Sequence, residues 1–302
     1  MAWKGVHLTR PARLCIRESQ LLVGQDEGDV TIALEDIAWL IVDDQRTSLT
    51  AGVLSACAGQ GIAVLVSDKR HMPCSLALPH HIHHRTAAVA NLQLSASVPL
   101  KKRLWQSIVR AKIANQARTL EYLARRDPPP LDKMVERVGS GDPENIEAQA
   151  ARAYWSCLFD QFSRGNEADW RNAALNYGYA VIRGAIARAL TASGFIPAIG
   201  LHHASITNAF NLADDLMEPF RPVADIVVAS LFQDRSVDDQ LSKEDRQALA
   251  SLPLKEVEIG QSKMSVLHAC EETAKSLVRA LEGADVDLLN LPTALGHRGE
   301  IG

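Results

Sequence analysis

Gly200-Leu-His-His-Ala-Ser-Ile-Thr-Asn-Ala-Phe-Asn-Leu-Ala-Asp-Asp-Leu-Met-Glu-Pro-Phe-Arg-Pro-Val-Ala-Asp225 joins a histidine pair to a glutamate, Glu218, fifteen residues after His203. At about 100° per residue, Leu212, Leu216, Phe220, Val223 and Val227 form one apolar stripe of a helix. Asp214, Glu218, Arg221 and Asp225 fall on the other side, which is read as chemistry or solvent. Asp214 and Glu218 are four residues apart, a like-charge spacing that costs an isolated helix roughly 0.2–0.5 kcal/mol unless a positive group stands near.

A second helix is announced by Gly141-Asp-Pro-Glu-Asn-Ile-Glu-Ala-Gln-Ala-Ala-Arg-Ala-Tyr-Trp155, with Asp142 expected as N-cap and Pro143 at the first helical position. Glu147 then shares a stripe with Ala151, Tyr154 and Leu158. A carboxylate on an apolar stripe needs a hydrogen bond, an arginine or a metal ion, because alone it would protonate or destabilise the fold.

Working outward, the helical period extends from about Thr86 to the end of the chain, broken at Asp127-Pro-Pro-Pro, Asp142-Pro143, Gly194–Gly200 and Ser251-Leu-Pro. Before it come short β-type runs at residues 13–17, 20–24, 30–34, 38–42 and 61–67, a turn signal at 25–28, and a short helix over 49–60. The expected fold is α+β: an N-terminal β-rich domain (residues 1–88, β-sheets with a short helix) and a larger all-α C-terminal domain (residues 89–302).

Composition bounds the function. The 302 residues are 47% apolar and 23% charged, which is ample for a globular core. No apolar run is long enough to span a membrane, and Met-Ala-Trp-Lys-Gly does not open like a signal peptide, so a cytoplasmic protein without membrane contact is expected. Cys15, Cys57, Cys74, Cys157 and Cys270 are scattered, which points to reduced core residues and to neither disulfides nor a cysteine zinc site. The net charge of −4 hides a basic stretch at residues 101–126, with eight basic residues against the single acid Glu121. Lys101, Lys102, Arg103, Arg110, Lys112 and Arg118 are therefore candidates to face DNA phosphates, against the plainer reading of a solvated helix face. The histidines of Pro79-His-His-Ile-His-His-Arg85 read as an exposed interdomain loop or weakly basic patch, since zinc would need ligands from separated pairs.

Glu147, His203 and Glu218 resemble the metal triad of the CRISPR-associated adaptation integrase family, the first of the Cas series. The likeness extends through Glu147-Ala-Gln-Ala-Ala-Arg-Ala-Tyr154, Tyr177-Gly178-Tyr179, Gly194-Phe-Ile-Pro-Ala-Ile-Gly200-Leu-His202 and Asp215-Leu-Met-Glu-Pro-Phe-Arg-Pro222. The doubled histidine and the chain length resemble the type II branch most. The resemblance implies an N-terminal dimerisation domain and a C-terminal metal-binding catalytic domain. It also implies a metal-dependent DNA endonuclease that joins the 3′-hydroxyl ends of short foreign DNA to a CRISPR array by transesterification.

Glu147, His203 and Glu218 would then be both catalytic residues and metal ligands, with His202 the alternative to His203. Asp214, Asp215, Arg221 and Asp225, with His202, are candidates to orient them. Two carboxylates and an imidazole suit Mg²⁺ or Mn²⁺, the histidine favouring manganese. The implied partners are double-stranded DNA (spacer precursor and repeat), a second copy of the chain, the small second adaptation protein and the type II effector nuclease. Tyr154 and Tyr177 either contact DNA or pack in the core. Two rival readings remain: a metal-dependent DNA or RNA nuclease without strand transfer, and a non-catalytic architectural DNA-binding protein in which Arg183 or Arg221 pairs with Glu147 and Glu218.

Overall fold

The computed structural model describes residues 4–79, 84–125, 127–231, 235–236 and 239–294. In chain order the N-terminal region contains β1 (Lys4–Leu8), β2 (Arg13–Arg17), β3 (Gln20–Gln25), β4 (Gly28–Ala33), β5 (Ile37–Val42), β6 (Ser48–Leu49), α1 (Ala51–Gly59), β7 (Ala63–Ser67) and β8 (Pro73–Ala77). They form two four-stranded sheets, ordered β1-β5-β7-β8 and β4-β3-β2-β6. The 25–28 turn is a hairpin that pairs Gln25 with Gly28.

Strand β5 lies between β1 and β7 in parallel and is buried at all six positions. Such a strand reads as a continuous apolar run because both of its faces are covered. Trp39 and Ile41, with Ala63 and Leu65, join the core of the helical region. Leu40 and Val42, with Ile62 and Val64, face the smaller core under the second sheet.

The sequence reading missed β1, β6 and β8. β1 carries only two buried positions, β6 has two residues, and β8 is a half-exposed edge strand that opens with a proline.

Helices follow from residue 86: α2 (Thr86–Ser95), α3 (Val98–Tyr122), α4 (Leu131–Arg137), α5 (Ile146–Leu158), α6 (Trp170–Ala192), α7 (Asn211–Met217), α8 (Arg221–Leu231), α9 (Lys243–Ala250) and α10 (Val266–Gly283). The region is not purely α. β9 (Glu256–Ile259), β10 (Ser262–Ser265) and β11 (Thr293–Ala294) make a small sheet, ordered β10-β9-β11, whose hairpin turns at Gly260 with φ +64°. Its alternation is too short to stand out beside helical runs. No helix among the described residues is long and apolar enough to cross a membrane. The His80–His83 part of the histidine cluster lies outside the described residues.

Two helix boundaries differ from expectation. Helix α5 begins at Ile146, not at Pro143, because Asn145 adopts a left-handed conformation (φ +52°). Asp142 still caps it from outside, accepting the N–H groups of Ile146 and Glu147 at 2.9 Å each. The helix expected through residue 227 is pinched into a 3₁₀ turn at Glu218–Phe220, where Pro219 and Pro222 withhold backbone donors.

Candidate metal centre

Helix α3 is the spine of the site. Leu104, Trp105, Ile108 and Ile113 are buried along it, and Lys112 and Gln116 lie on the same buried stripe. Asn115 fixes its neighbours: its Nδ2 donates to the carbonyls of Pro219 (2.8 Å) and Pro292 (2.9 Å), and its Oδ1 accepts from the Ala294 N–H. The turn bearing Glu218 is thereby tied to α3.

Lys112 Nζ stands 2.6 Å from Glu147 Oε1 and 2.5 Å from Glu218 Oε2. The two carboxylate oxygens are therefore at most 5.1 Å apart, the sum of those distances. This corrects the placement of Lys112 on a DNA-facing surface: it is buried, and it gives Glu147 a lysine partner where a hydrogen bond, an arginine or a metal was expected. Glu147 is half-buried, not fully enclosed, with 24% of its side chain exposed.

Glu218 also accepts from Arg221 Nε at 2.9 Å. Burial alone would raise its pKa, but the Arg221 and Lys112 charges outweigh burial and hold it at about 2. Lys112 is likewise penalised by burial, and the two glutamates overcome this and keep it charged.

The carboxylates of the α7–α8 segment, Asp214, Asp215, Glu218 and Asp225, are all buried, while Arg221 is half-buried at the mouth of a groove that Glu218 and Asp225 also line. Each carboxylate has its own partners. Asp214 accepts from Arg183 Nε (2.8 Å) and Asn208 Nδ2 (2.6 Å). Asp225 accepts from the hydroxyls of Tyr154 (2.9 Å) and Tyr179 (2.5 Å), and burial pushes its carboxyl up to about 6 against those two hydrogen bonds. Arg221 lies over the Tyr179 ring at 4.5 Å. Tyr154 and Tyr177 are both core residues, the latter 3.4 Å from His7 Nε2.

Asp215 organises the histidine loop. Its oxygens accept the N–H groups of Leu201, His202 and His203, and Oδ1 lies 2.7 Å from His203 Nδ1. A Cβ on Gly200 would collide with the His203 carbonyl and with Asp215, so only glycine fits this close approach. The Asp215 hydrogen bond raises the His203 pKa despite burial, and the Glu218 charge adds to the rise. With Nδ1 committed, Nε2 is the ring nitrogen left for a ligand. His202 instead stacks flat on Trp105 at 4.2 Å, with an interplanar angle of 1°.

Glu147 and Glu218 thus meet on one cation, with His203 in electrostatic reach of Glu218. No three His, Cys, Asp or Glu side chains among the described residues are already arranged around a shared point. The donor set nevertheless fits a divalent ion. Lys112 has hydrogen-bond geometry only toward Glu147, so Glu218 Oε2 is buried without a hydrogen-bonded donor, and the carboxylates already crowd one positive charge. Of the expected DNA-facing residues, Lys102, Arg103, Arg110 and Arg118 are exposed on α3 and Lys101 is half-buried. Arg110 and Arg118 also reach the Val138 carbonyl and Asn115 Oδ1.

Sequence reasoning missed Trp105 and Asn115, and misassigned Lys112. The signal for Lys112 was present: it stands seven residues from Trp105 and four from Ile108, on a stripe where a lysine needs a counter-charge.

Residues 6–251 match the family model described as CRISPR associated protein Cas1. The chain is 39% identical to the CRISPR-associated endonuclease Cas1 of Neisseria meningitidis serogroup C (strain 8013), over 98% of this chain and 97% of that one. Among solved structures, the fold resembles a casposase bound to integration product, with a TM-score of 0.77 and 17% identity, covering 95% of this chain and 93% of that one. It also resembles a chain of a Cas6-RT-Cas1–Cas2 complex, with a TM-score of 0.74 and 17% identity, over 97% of this chain and 36% of that one.

Proposed function

This chain belongs to the CRISPR-associated Cas1 family, and from that premise we propose that it is a divalent-metal-dependent DNA endonuclease and integrase. It joins 3′-hydroxyl ends of short DNA to a CRISPR array by transesterification. The observation that carries this reading is the pair Glu147 and Glu218, drawn from separate elements onto one cation and close to His203.

Glu147, Glu218 and His203 would hold Mg²⁺ or Mn²⁺ once Lys112 swings aside. An ion held there would supply Lewis-acid polarisation of a phosphodiester and charge stabilisation at the transferring phosphoryl group. Arg221 keeps Glu218 ionised and in place, and Asp215 fixes the tautomer and orientation of His203. Lys112, anchored by its stem on α3, keeps a positive charge where a phosphate oxygen arrives. Residues 1–88 serve as the dimerisation domain and residues 89–302 as the catalytic domain, so a homodimer supplies two sites for two attacks. The likeness to a chain of a Cas1–Cas2 complex supports a small second adaptation protein as partner.

Glu147→Ala, His203→Ala and Glu218→Ala should each abolish metal-dependent joining of a 3′-hydroxyl end to supercoiled DNA while circular dichroism stays native. Joining retained in any of them removes that residue from the ligand set. One observation favours the architectural reading: Lys112 and Arg221 already balance both glutamates. Calorimetric titration with Mn²⁺ decides it, since an architectural protein takes up no ion there. Cleavage without joining would leave a nuclease.

A further inference from the structure

We propose that Gln93 is a positioning residue for the metal centre: it binds the turn at residues 196–199, registers the histidine loop against α3, and so sets where the His203 imidazole stands relative to Glu147 and Glu218. This rests on the reading of His203 as a metal ligand and adds to it a residue that acts from outside the ligand set.

Helix α2 is short and mostly exposed, and Val89 and Gln93 are its only buried residues. One valine gives a ten-residue helix little to dock with. Gln93, 2% exposed, spends its amide on a single backbone turn. Nε2 donates to the carbonyls of Ile196 (2.9 Å) and Ile199 (2.5 Å), and Oε1 accepts the Ile196 N–H at 3.0 Å. Both amide hydrogens and the acceptor are thus committed to residues that belong to no helix or strand.

The consecutive carbonyls of that turn are tied to two different helices. Those of Ile196 and Ile199 bind Gln93, whereas Pro197 accepts the Leu212 N–H (2.8 Å) and Ala198 accepts Asn211 Nδ2 (3.0 Å), both from α7. Farther on, Leu201, His202 and His203 donate to Asp215, again on α7. Among the described residues, α7 therefore supplies every hydrogen bond from another element to residues 196–203 except those of Gln93. Helix α7 leads directly into Glu218, so it fixes the histidine loop to one carboxylate. Gln93 stands five residues before Val98, where α3 begins, and α3 carries the Lys112 that meets Glu147. Removing Gln93 leaves the loop hydrogen-bonded to α7 alone, with the Ile196 N–H and the Ile199 carbonyl deprived of their partner.

Gln93→Met keeps the length of the side chain and removes its polar end. In calorimetric titration it should bind Mn²⁺ about tenfold more weakly than the native protein, the lower end of the effect of outer partners of metal ligands. Val89→Ala loosens the same helix without touching the turn; it should lower the melting temperature and leave Mn²⁺ affinity unchanged. On a His203→Ala background, Gln93→Met should change Mn²⁺ affinity no further, because it acts through that ring. A readout without metal comes from His202, whose ring lies flat on Trp105 of α3, so that the indole shifts its proton resonances upfield. In EDTA at one fixed pH, with labelled histidine rings, those resonances should move downfield in Gln93→Met and stay in place in Val89→Ala. Gln93→Glu, which when ionised accepts the Ile196 N–H but donates to neither carbonyl, should weaken Mn²⁺ binding in the same direction and stands in if Gln93→Met does not fold. Native Mn²⁺ affinity or an unmoved His202 signal in a folded Gln93 variant would overturn the proposal, and so would an equal loss of affinity in Val89→Ala. If His203→Ala binds Mn²⁺ as tightly as the native protein, the ligand reading fails instead.

Discussion

Lys112→Met removes the cation between Glu147 and Glu218 while keeping the apolar stem packed on α3. Deleting one partner of a buried ion pair costs about 3–5 kcal/mol, because the other charge is left uncompensated. Here the loss falls below that range. Arg221 remains 2.9 Å from Glu218, and a quarter of the Glu147 side chain reaches solvent. A cost of about 2–3 kcal/mol follows, which at roughly 2–4 °C per kcal/mol lowers the melting temperature by about 5–10 °C. Differential scanning fluorimetry in EDTA reads the shift.

Two further arms separate charge from packing. Glu147→Gln placed on the Lys112→Met background should recover stability, since Glu147 is the carboxylate left without a cation while Arg221 still holds Glu218. Mn²⁺ should raise the melting temperature of Lys112→Met more than that of the native protein, because no ammonium has to be displaced from the carboxylates. If Lys112→Met melts within about a degree of the native protein in EDTA, or if Mn²⁺ stabilises it less, the reasoning that Lys112 stands where a divalent ion would sit is refuted.

Asp43 offers a pH test away from the site. Burial opposes its ionisation, but the hydrogen bond with His7 and the charges of Arg246 and His71 hold its pKa at about 2 against 3.8. A depressed carboxylate contributes stability that is present above pH 3.8 and lost as pH falls through about 2. Asp43→Asn should therefore cost roughly 2 kcal/mol in urea melts at pH 7, and the gap should narrow as pH drops below 4. A gap unchanged at pH 3 would show that Asp43 does not titrate this way. Neutralising several of Lys101, Lys102, Arg103 and Arg110 should flatten the plot of log affinity for DNA against log salt by about 0.7–0.9 per lost phosphate contact. An unchanged slope would make that face of α3 merely solvated.

The change from strands to helices was legible because the two regions use different periods, and β2 was located residue for residue. The edge strands β1 and β8 were not legible, since a half-exposed strand with few buried positions carries little alternation. Glu147 stood out as a carboxylate on an apolar stripe, whereas its grouping with His203 and Glu218 came from the family resemblance, since Glu218 lies on the polar side of its own helix. Lys112 and Asp215 show the limit of such reading. Both owe their roles to partners far along the chain or across a turn, so Lys112 was read as a DNA-facing cation, and Asp215 only as a candidate to orient the ligands. The buried carboxylates of α7–α8 escaped for the same reason: Asp214, Glu218 and Asp225 take partners from other helices, Arg183, Lys112, Tyr154 and Tyr179, and Asp215 takes the backbone of the histidine loop.

Strand β5 is a shared wall. Its Trp39 and Ile41 are lodged among the helices while Leu40 and Val42 are lodged among the strands, so neither half of the polypeptide can be produced alone without leaving an oily surface bare. Severing the gene between residues 88 and 89 should yield two sticky fragments, and heating the intact chain should give one calorimetric peak in place of two.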